Sequence, residues 1–469
     1  MAASERNIDL IKAGHRDFGG GLYPHRSRKV ELPPLTEVGV LETDNKGGNY
    51  VLIEKGYDLR ESFKILWQNL NASGVATGLV ATLFSTMGPG MVVMNAAKQG
   101  GLSDAQAVSW LLGIYLCGGL ATMFMSLRYR IPVVIAFSIP GAVMLGKLIP
   151  NFTFNEVIGA YVVVGVVTFL LTVSGAIKKL VEHIPVPVML GMVGGVLLSF
   201  ATSMFTAAIK MPQVYGIMVV AFFLAMAFKS FSKKFPPIIM AIIAGVVLLG
   251  FFGLIKPIPL TWEIAKPVFV TPAFSLRAII DISIPLFFLV IGVQNIQAVG
   301  VLMAEEYRPP INSMYLVPSI ATFINSLLGA HPAVTAGPST AICSSAAAGE
   351  KKDLRFIAAF SEGVFWVIFA LLAKIIVESV KMVPKEFTAV LAGLAMFEVF
   401  SSAFKGAFAG KFRFGALVAF FVAVTNLSIL NVGAPLWAIF LGILTSLLVE
   451  REDFRVKKGE GAENLQTAK

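Results

Sequence analysis

The chain has 469 residues, 56% of them hydrophobic and only 14% charged, with 38 Lys and Arg against 28 Asp and Glu, a formal net charge of +10 and a mean hydropathy of +0.78. Such a composition excludes an ordinary soluble domain. Residues 1–62 carry 9 basic and 10 acidic side chains and residues 450–469 carry 5 and 5, so the basic excess belongs to the apolar middle. A nucleic-acid binder needs a basic arm or an exposed basic patch, which these near-neutral tails do not supply. A negatively charged membrane surface accounts for the charge better.

Residues 1–62 mix both signs of charge around Gly19–Gly21 and Pro33–Pro34 without an apolar core segment. They read as a cytoplasmic tail, neither signal nor transit peptide. Apolar runs long enough to cross about 30 Å of hydrocarbon then recur at 64–87, 105–127, 154–176, 186–208, 213–229, 235–254, 283–304, 311–330, 354–379, 384–402, 413–429 and 433–450. The connection at 257–280, rich in proline and β-branched residues, reads as an extended external loop.

Two further apolar stretches, 131–149 and 331–347, are interrupted by Pro140 and by Gly337–Pro338. Proline suits a first helical turn, and the residue before it favours extended backbone. Each stretch therefore predicts an extended half followed by a helical half. The expected fold is an all-α polytopic membrane protein of fourteen segments, seven on each side of the 257–282 connection, with the third and tenth broken. Seven segments per half make the halves inverted copies, and broken helices at matching positions point to the substrate site of a secondary transporter. Basic residues in the connections number 14 on the side of the tails and 9 on the other, so both termini are expected in the cytoplasm.

The half-helices matter because first-turn amides lack internal partners and carry the positive end of the helix dipole. Those around Gly141 and Ala142, and around Ser339 and Thr340, are candidate donors to an anion; small residues there equally allow close helix packing. Gln294 and Asn295 lie deep in an apolar helix, where amides are costly unless bonded. They either bond a substrate or tie two helices together, and Gly292 and Gly300 leave room for a cavity. Asn69, Asn71, Ser73 and Thr77 form a polar side on the first span, and Gly74–Gly78 and Gly191–Gly195 have the GxxxG spacing of packed helices. Glu362 and Glu398 are carboxylates within predicted spans and are the candidates for proton coupling. Lys147 is placed to snorkel outward, and Glu305 and Glu306 are expected to pair with Arg308 or water. Cys117 and Cys343 are too few for a disulfide framework. His15, His25, His183 and His331 are too scattered for a metal site, and no HExxH, Walker A or GxSxG pattern occurs, so neither a cofactor nor an enzyme is expected.

Several strings together, LSDAQAVSWL (102–111), SLRYRIPVVIAFSIPGAVML (126–145), GVQN (292–295), YRPP (307–310), His331 to Cys343, and AGLA (392–395), resemble the benzoate/proton symporter family of bacterial inner membranes over about residues 64–450. That family is similar to the nucleobase/ascorbate and sulfate/bicarbonate transporters. The resemblance implies a core domain (63–183 and 283–380) moving against a gate domain (184–256 and 381–450), with tails at 1–62 and 451–469, often as a homodimer. It also implies that Phe137 and Ser138 line the pocket, and that Gln294 stands where nucleobase relatives carry a substrate-holding glutamate. An amide does not take up a proton near neutral pH, so coupling would fall to another residue. The sulfate transporters are expected to end in a soluble domain, for which the roughly 20 residues after the last span leave no room. The resemblance implies proton-coupled import of an aromatic carboxylate such as benzoate. A nucleobase or inorganic-anion uniporter or exchanger of the same fold, and a membrane sensor or scaffold, are the alternatives.

Overall fold

A computed structural model of the chain describes residues 53–177, 185–228, 237–258, 262–425, 428–429 and 432–454. Lys178 and Lys179, Lys229, Lys233 and Lys234, His15, His25 and His183, and most of both predicted tails lie outside the described residues.

The chain enters through helix α1, Leu59–Gln68, capped by the Asp58 carboxylate. This helix is amphipathic, with Ser62 and Leu66 buried and Phe63 and Trp67 exposed and stacked on each other. The first membrane helix follows as α2, Ala72–Met87, and α3, Pro89–Gln99. The expected span at 64–87 is thus cut at Asn69–Asn71. Asn69 Nδ2 donates to the Ile65 carbonyl at the end of α1, and Asn71 Oδ1 accepts from Gly74 N at the start of α2. These two asparagines are helix caps, not part of a polar helix face.

Helix α4, Asp104–Tyr129, opens on a capping box of Ser103 and Gln106 and ends on Arg130 in the left-handed region. Strand β1, Ile135–Phe137, and helix α5, Ile139–Leu148, come next. Helix α6, Phe154–Val173, opens on a second capping box, Thr153 and Glu156. Helices α7, Val186–Lys210, α8, Ile217–Ala227, and α9, Pro237–Phe251, complete the first half.

Helix α10, Leu276–Met303, starts earlier than expected and takes in the end of the predicted loop. It is interrupted by two wide π-helical turns, Ile279–Ser283 and Val290–Asn295. Helix α11, Ile311–Leu327, leads to strand β2, Ala333–Thr335, and helix α12, Gly337–Ser344. The rest is α13, Phe356–Leu371, α14, Ala373–Lys381, α15, Lys385–Phe408, α16, Arg413–Thr425, and α17, Ala434–Val449.

Among the described residues, six helical spans are long and apolar enough to cross a membrane, seven if α15, bent by 41° between Phe397 and Val399, is counted as one; four more apolar helices are shorter. Packing sorts these helices. α13 lies on α2 and α4, and α11 lies on α6, whereas α7 lies on α15 and α16, and α16 on α17. The GxxxG glycines are packing contacts: a Cβ at Gly78 would lie 2.7 Å from Ser361 Cβ on α13, and one at Gly191 would collide with the Ala416 carbonyl on α16. Surface pairs differ from expectation, since Glu305 pairs with Arg355 at 3.5 Å and Glu306 with Lys352 at 3.7 Å.

Candidate functional site

The centre is a two-stranded antiparallel pair with Ile135 opposite Thr335, Ala136 opposite Val334 and Phe137 opposite Ala333. Backbone bonds extend it at both ends, from Ser138 N to the Pro332 carbonyl (3.2 Å) and from Ala336 N to the Val134 carbonyl (2.9 Å). Each strand is one half of a broken element, so each finds in the other the backbone partner it lacks in its own segment. That pairing satisfies non-helical backbone at membrane depth.

A threonine on the preceding helix pins each strand at its start. Thr122 Oγ1 on α4 accepts from Ile135 N at 2.9 Å, and Thr322 Oγ1 on α11 accepts from Ala333 N at 3.0 Å. Helix α10 ties both broken elements together through its second π turn. Gln294 Oε1 accepts from Ser138 Oγ (2.6 Å), and Asn295 Oδ1 accepts from Thr335 N (2.8 Å). The amide oxygens of the Gln294–Asn295 pair are therefore used inside the protein, while Asn295 Nδ2 is buried without a protein partner. The wide turn sets these side chains off from an ordinary helical register, as such turns often do at functional sites.

The two half-helices differ at their starts. On α5 the Ser138 hydroxyl caps the helix by accepting from Gly141 N at 3.1 Å, and Ala142 N bonds the Ser138 carbonyl at 2.8 Å. On α12 the N-cap position is Ala336, which offers no side-chain cap; Thr340 N bonds the Ala336 carbonyl at 3.1 Å, and Thr340 Oγ1 accepts from Val134 N at 3.2 Å. The α12 terminus is the less satisfied of the two positive helix ends.

Phe137 is 2% exposed and lies edge-on to Tyr115 and to His331. His331, read in the sequence only as a scattered histidine, is fully buried beside it. Its Nδ1 accepts from Trp110 Nε1 at 2.8 Å, which leaves the proton on Nε2 to donate to the Ser138 carbonyl at 2.8 Å. A lone histidine inside an apolar run, one residue before a proline, was the available signal for this role.

Behind α12, Glu362 on α13 is 0% exposed and accepts from Ser85 Oγ (3.2 Å) and from Cys343 Sγ (3.3 Å). Ser85 Oγ also lies 3.0 Å from Ser339 Oγ. Glu398 falls at the bend of α15; its side chain lies outside the described residues. No cluster of three or more His, Cys, Asp or Glu able to hold a metal occurs among the described residues.

A bundle of membrane-crossing helices built round a pair of broken, strand-linked segments defines a polytopic membrane transport protein. The model of the benzoate membrane transport protein family matches residues 68–448, and the chain belongs to that family. It is 29% identical over 390 residues to the benzoate membrane transport protein of Acinetobacter baylyi, covering 82% of this chain and 97% of that one. It is 26% identical over 382 residues to the inner membrane protein YdcO of Escherichia coli K12, covering 80% and 97%. Its fold is similar to the transmembrane domain of the cyanobacterial bicarbonate transporter BicA (TM-score 0.54, 14% identity, 80% of this chain and 98% of that one). It is also similar to SLC26A9 (TM-score 0.56, 13% identity, 86% and 72%).

Proposed function

We propose that the chain is a secondary active transporter of the bacterial inner membrane that imports a small aromatic carboxylate, such as benzoate, together with a proton. The observation that carries this reading is the crossing of β1 and β2, which sets two helix starts at the ends of one short strand pair against the amides of α10. The N-cap residues Ser138 and Ala336, the latter opposite Val134, are four residues apart along the pair, about 13 Å at ~3.3 Å per residue, room for a small organic anion and its contacts at either end. The carboxylate meets the uncapped first turn of α12 at Ser339 and Thr340. Phe137, Ser138, Gly141 and Ala142 form the opposite wall, and Gln294 and Asn295 the back.

In this reading the six long spans, the bent α15, the four shorter helices, α11 and the two broken elements make fourteen segments in two inverted halves. The matched threonine pins of β1 and β2 support that symmetry. Residues 63–183 and 283–380 form a core that moves against a gate of 184–256 and 381–450, in line with the sorted helix packing. Transport alternates access by that movement. Glu362, with Glu398 as the second candidate, exchanges the proton. The termini lie in the cytoplasm and the protein works as a homodimer.

Uptake of radiolabelled benzoate into proteoliposomes tests the reading. An inward proton gradient accelerates uptake; uptake indifferent to the gradient removes the coupling, and no uptake removes the substrate. A second reading, uniport or exchange of a nucleobase or inorganic anion, is favoured by one observation: position 294 holds an amide, which takes up no proton near neutral pH, so proton coupling is not supplied there. Thermal shifts with aromatic acids, nucleobases and oxyanions separate the two, because a ligand stabilises the folded state by mass action.

A further inference from the structure

The buried group of Ser85, Ser339, Cys343 and Glu362 joins three elements, α2, α12 and α13, and lies directly behind the first turn of α12. Ser85 is 3% and Ser339 4% exposed, and the other two are fully buried. Ser85 has a single hydroxyl hydrogen and three oxygen neighbours, the Ala81 carbonyl (2.7 Å), Glu362 Oε1 (3.2 Å) and Ser339 Oγ (3.0 Å). It must therefore choose one acceptor, and the choice depends on what Glu362 needs.

With Glu362 ionised, the carboxylate draws hydrogens toward itself. Ser85 O–H donates to Glu362 and Ser339 O–H donates to Ser85, a chain polarised in one direction. The Ser339 hydroxyl then points away from the α12 terminus. With Glu362 protonated, its own O–H donates to Ser85 Oγ, Ser85 O–H turns to Ser339 Oγ, and Ser339 O–H is released to donate outward. An anion at the α12 terminus and a proton on Glu362 thus leave every member of the chain bonded. An anion with Glu362 ionised breaks the Ser339–Ser85 bond and adds a second negative charge nearby.

We propose that Ser85 and Ser339 form a relay that ties protonation of Glu362 to anion binding at the first turn of α12. This rests on the transporter reading above and adds to it the residues that join proton to cargo. Other groups on the helices packed against α13 have separate roles. α2 contributes no titratable side chain, and on α4 Tyr115 packs on Phe137 and Trp366 while Cys117 sits in an apolar cluster. On α12 Cys343 is a donor to Glu362. Lys374 of α14 pairs with Glu263, and Arg355 before α13 bonds the Gly349 and Ser344 carbonyls.

The test is the affinity of purified full-length protein for benzoate, titrated with pH above benzoate's own ionisation. One linked proton weakens wild-type binding by about tenfold per pH unit where Glu362 ionises. Glu362→Gln makes affinity independent of pH, Ser85→Ala flattens the slope, and Ser85→Thr, which keeps the hydroxyl, restores it. Calorimetry of the wild type in buffers of different ionisation enthalpy reads proton uptake on binding directly, so a Ser85→Ala protein that fails to fold does not decide the matter. Wild-type binding without proton uptake, or a full slope in Glu362→Gln or in a folded Ser85→Ala, overturns the relay. If benzoate does not bind, the aromatic-carboxylate reading fails and the same titration is read with bicarbonate or sulfate; binding of no anion overturns both.

Discussion

His331 shows how much one side chain contributes to the centre. Its ring accepts from the Trp110 indole and donates to the Ser138 carbonyl, so it connects α4 to the junction of β1 and α5. Only the neutral ring protonated on Nε2 does both, because a second ring proton would face the indole N–H. His331→Phe keeps the aromatic packing with Phe137 but strands the buried Trp110 indole N–H, while the Ser138 carbonyl keeps only its bond from Ala142 N. That orphan costs about 1–3 kcal/mol, so the variant melts below the wild type in detergent, while a wild-type melting temperature would show that the two bonds contribute nothing. The removal of Ser138's carbonyl anchor also loosens the Ser138–Gln294 contact, so benzoate affinity falls with stability. Sequence reasoning singled out Phe137 and Ser138 through the family resemblance, and Gln294 and Ser339 because intramembrane amides and helix-starting prolines are visible in one dimension. It missed Ser85, since the bond from Ser85 to Glu362 spans 277 positions and a serine in an apolar helix most often bonds its own backbone, as Ser85 also does to Ala81.

At the scale of elements, the decisive feature is the π turn at Val290–Asn295. A turn closed by i to i+5 bonds holds one residue more than an α turn, so deleting Val293 converts it to ordinary helix without rotating the rest of α10 against its neighbours. Deleting Ala298, buried within the regular part that follows, instead turns everything beyond it by about 100°. The Val293 deletion is expected to fold, with a melting temperature near wild type, but to lose the Gln294 and Asn295 ties and with them benzoate-induced stabilisation. The Ala298 deletion is expected to lose the folded state. A Val293 deletion that binds benzoate normally would show that the wide turn has no part in the site. Hydropathy revealed where helices run but not these turns, because one extra residue in an apolar run leaves composition and length unchanged. It also ran α1 and α2 together, since Asn69 and Asn71 look the same as polar surface whether they face a neighbour or cap a helix end. The strand pairing was legible only as two extended lead-ins before proline; that the two halves pair with each other required the fold.

For the whole molecule, the proposed orientation rests on charge. Acidic partners cancel part of the charge at each end, with Arg130 on Glu61, Arg355 on Glu305 and Lys352 on Glu306 at one end, and Lys374 on Glu263 and Lys381 on Asp104 at the other. The hydrogen bond from Lys374 holds the Glu263 carboxyl below the usual range, yet such exposed pairs contribute little stability. What they leave is an excess of Lys and Arg on the connections assigned to the side of the tails, and this excess is the ground for proposing that side as the cytoplasmic one. Site-directed labelling checks it cleanly, because the native Cys117 and Cys343 are both buried. Trp262 is 83% exposed in the connection between α9 and α10, and at Gly410 an added Cβ meets nothing within 4 Å; the proposed fourteen-segment arrangement puts them on opposite sides. In intact cells a membrane-impermeant maleimide should label Trp262→Cys and leave Gly410→Cys untouched until the membrane is opened. The reverse pattern would invert the protein in the membrane and put the uncapped α12 terminus on a path facing the other way. Labelling of both from outside would place the two connections on one side, which an odd number of crossings between them forbids, and the fourteen-segment arrangement would fall with it.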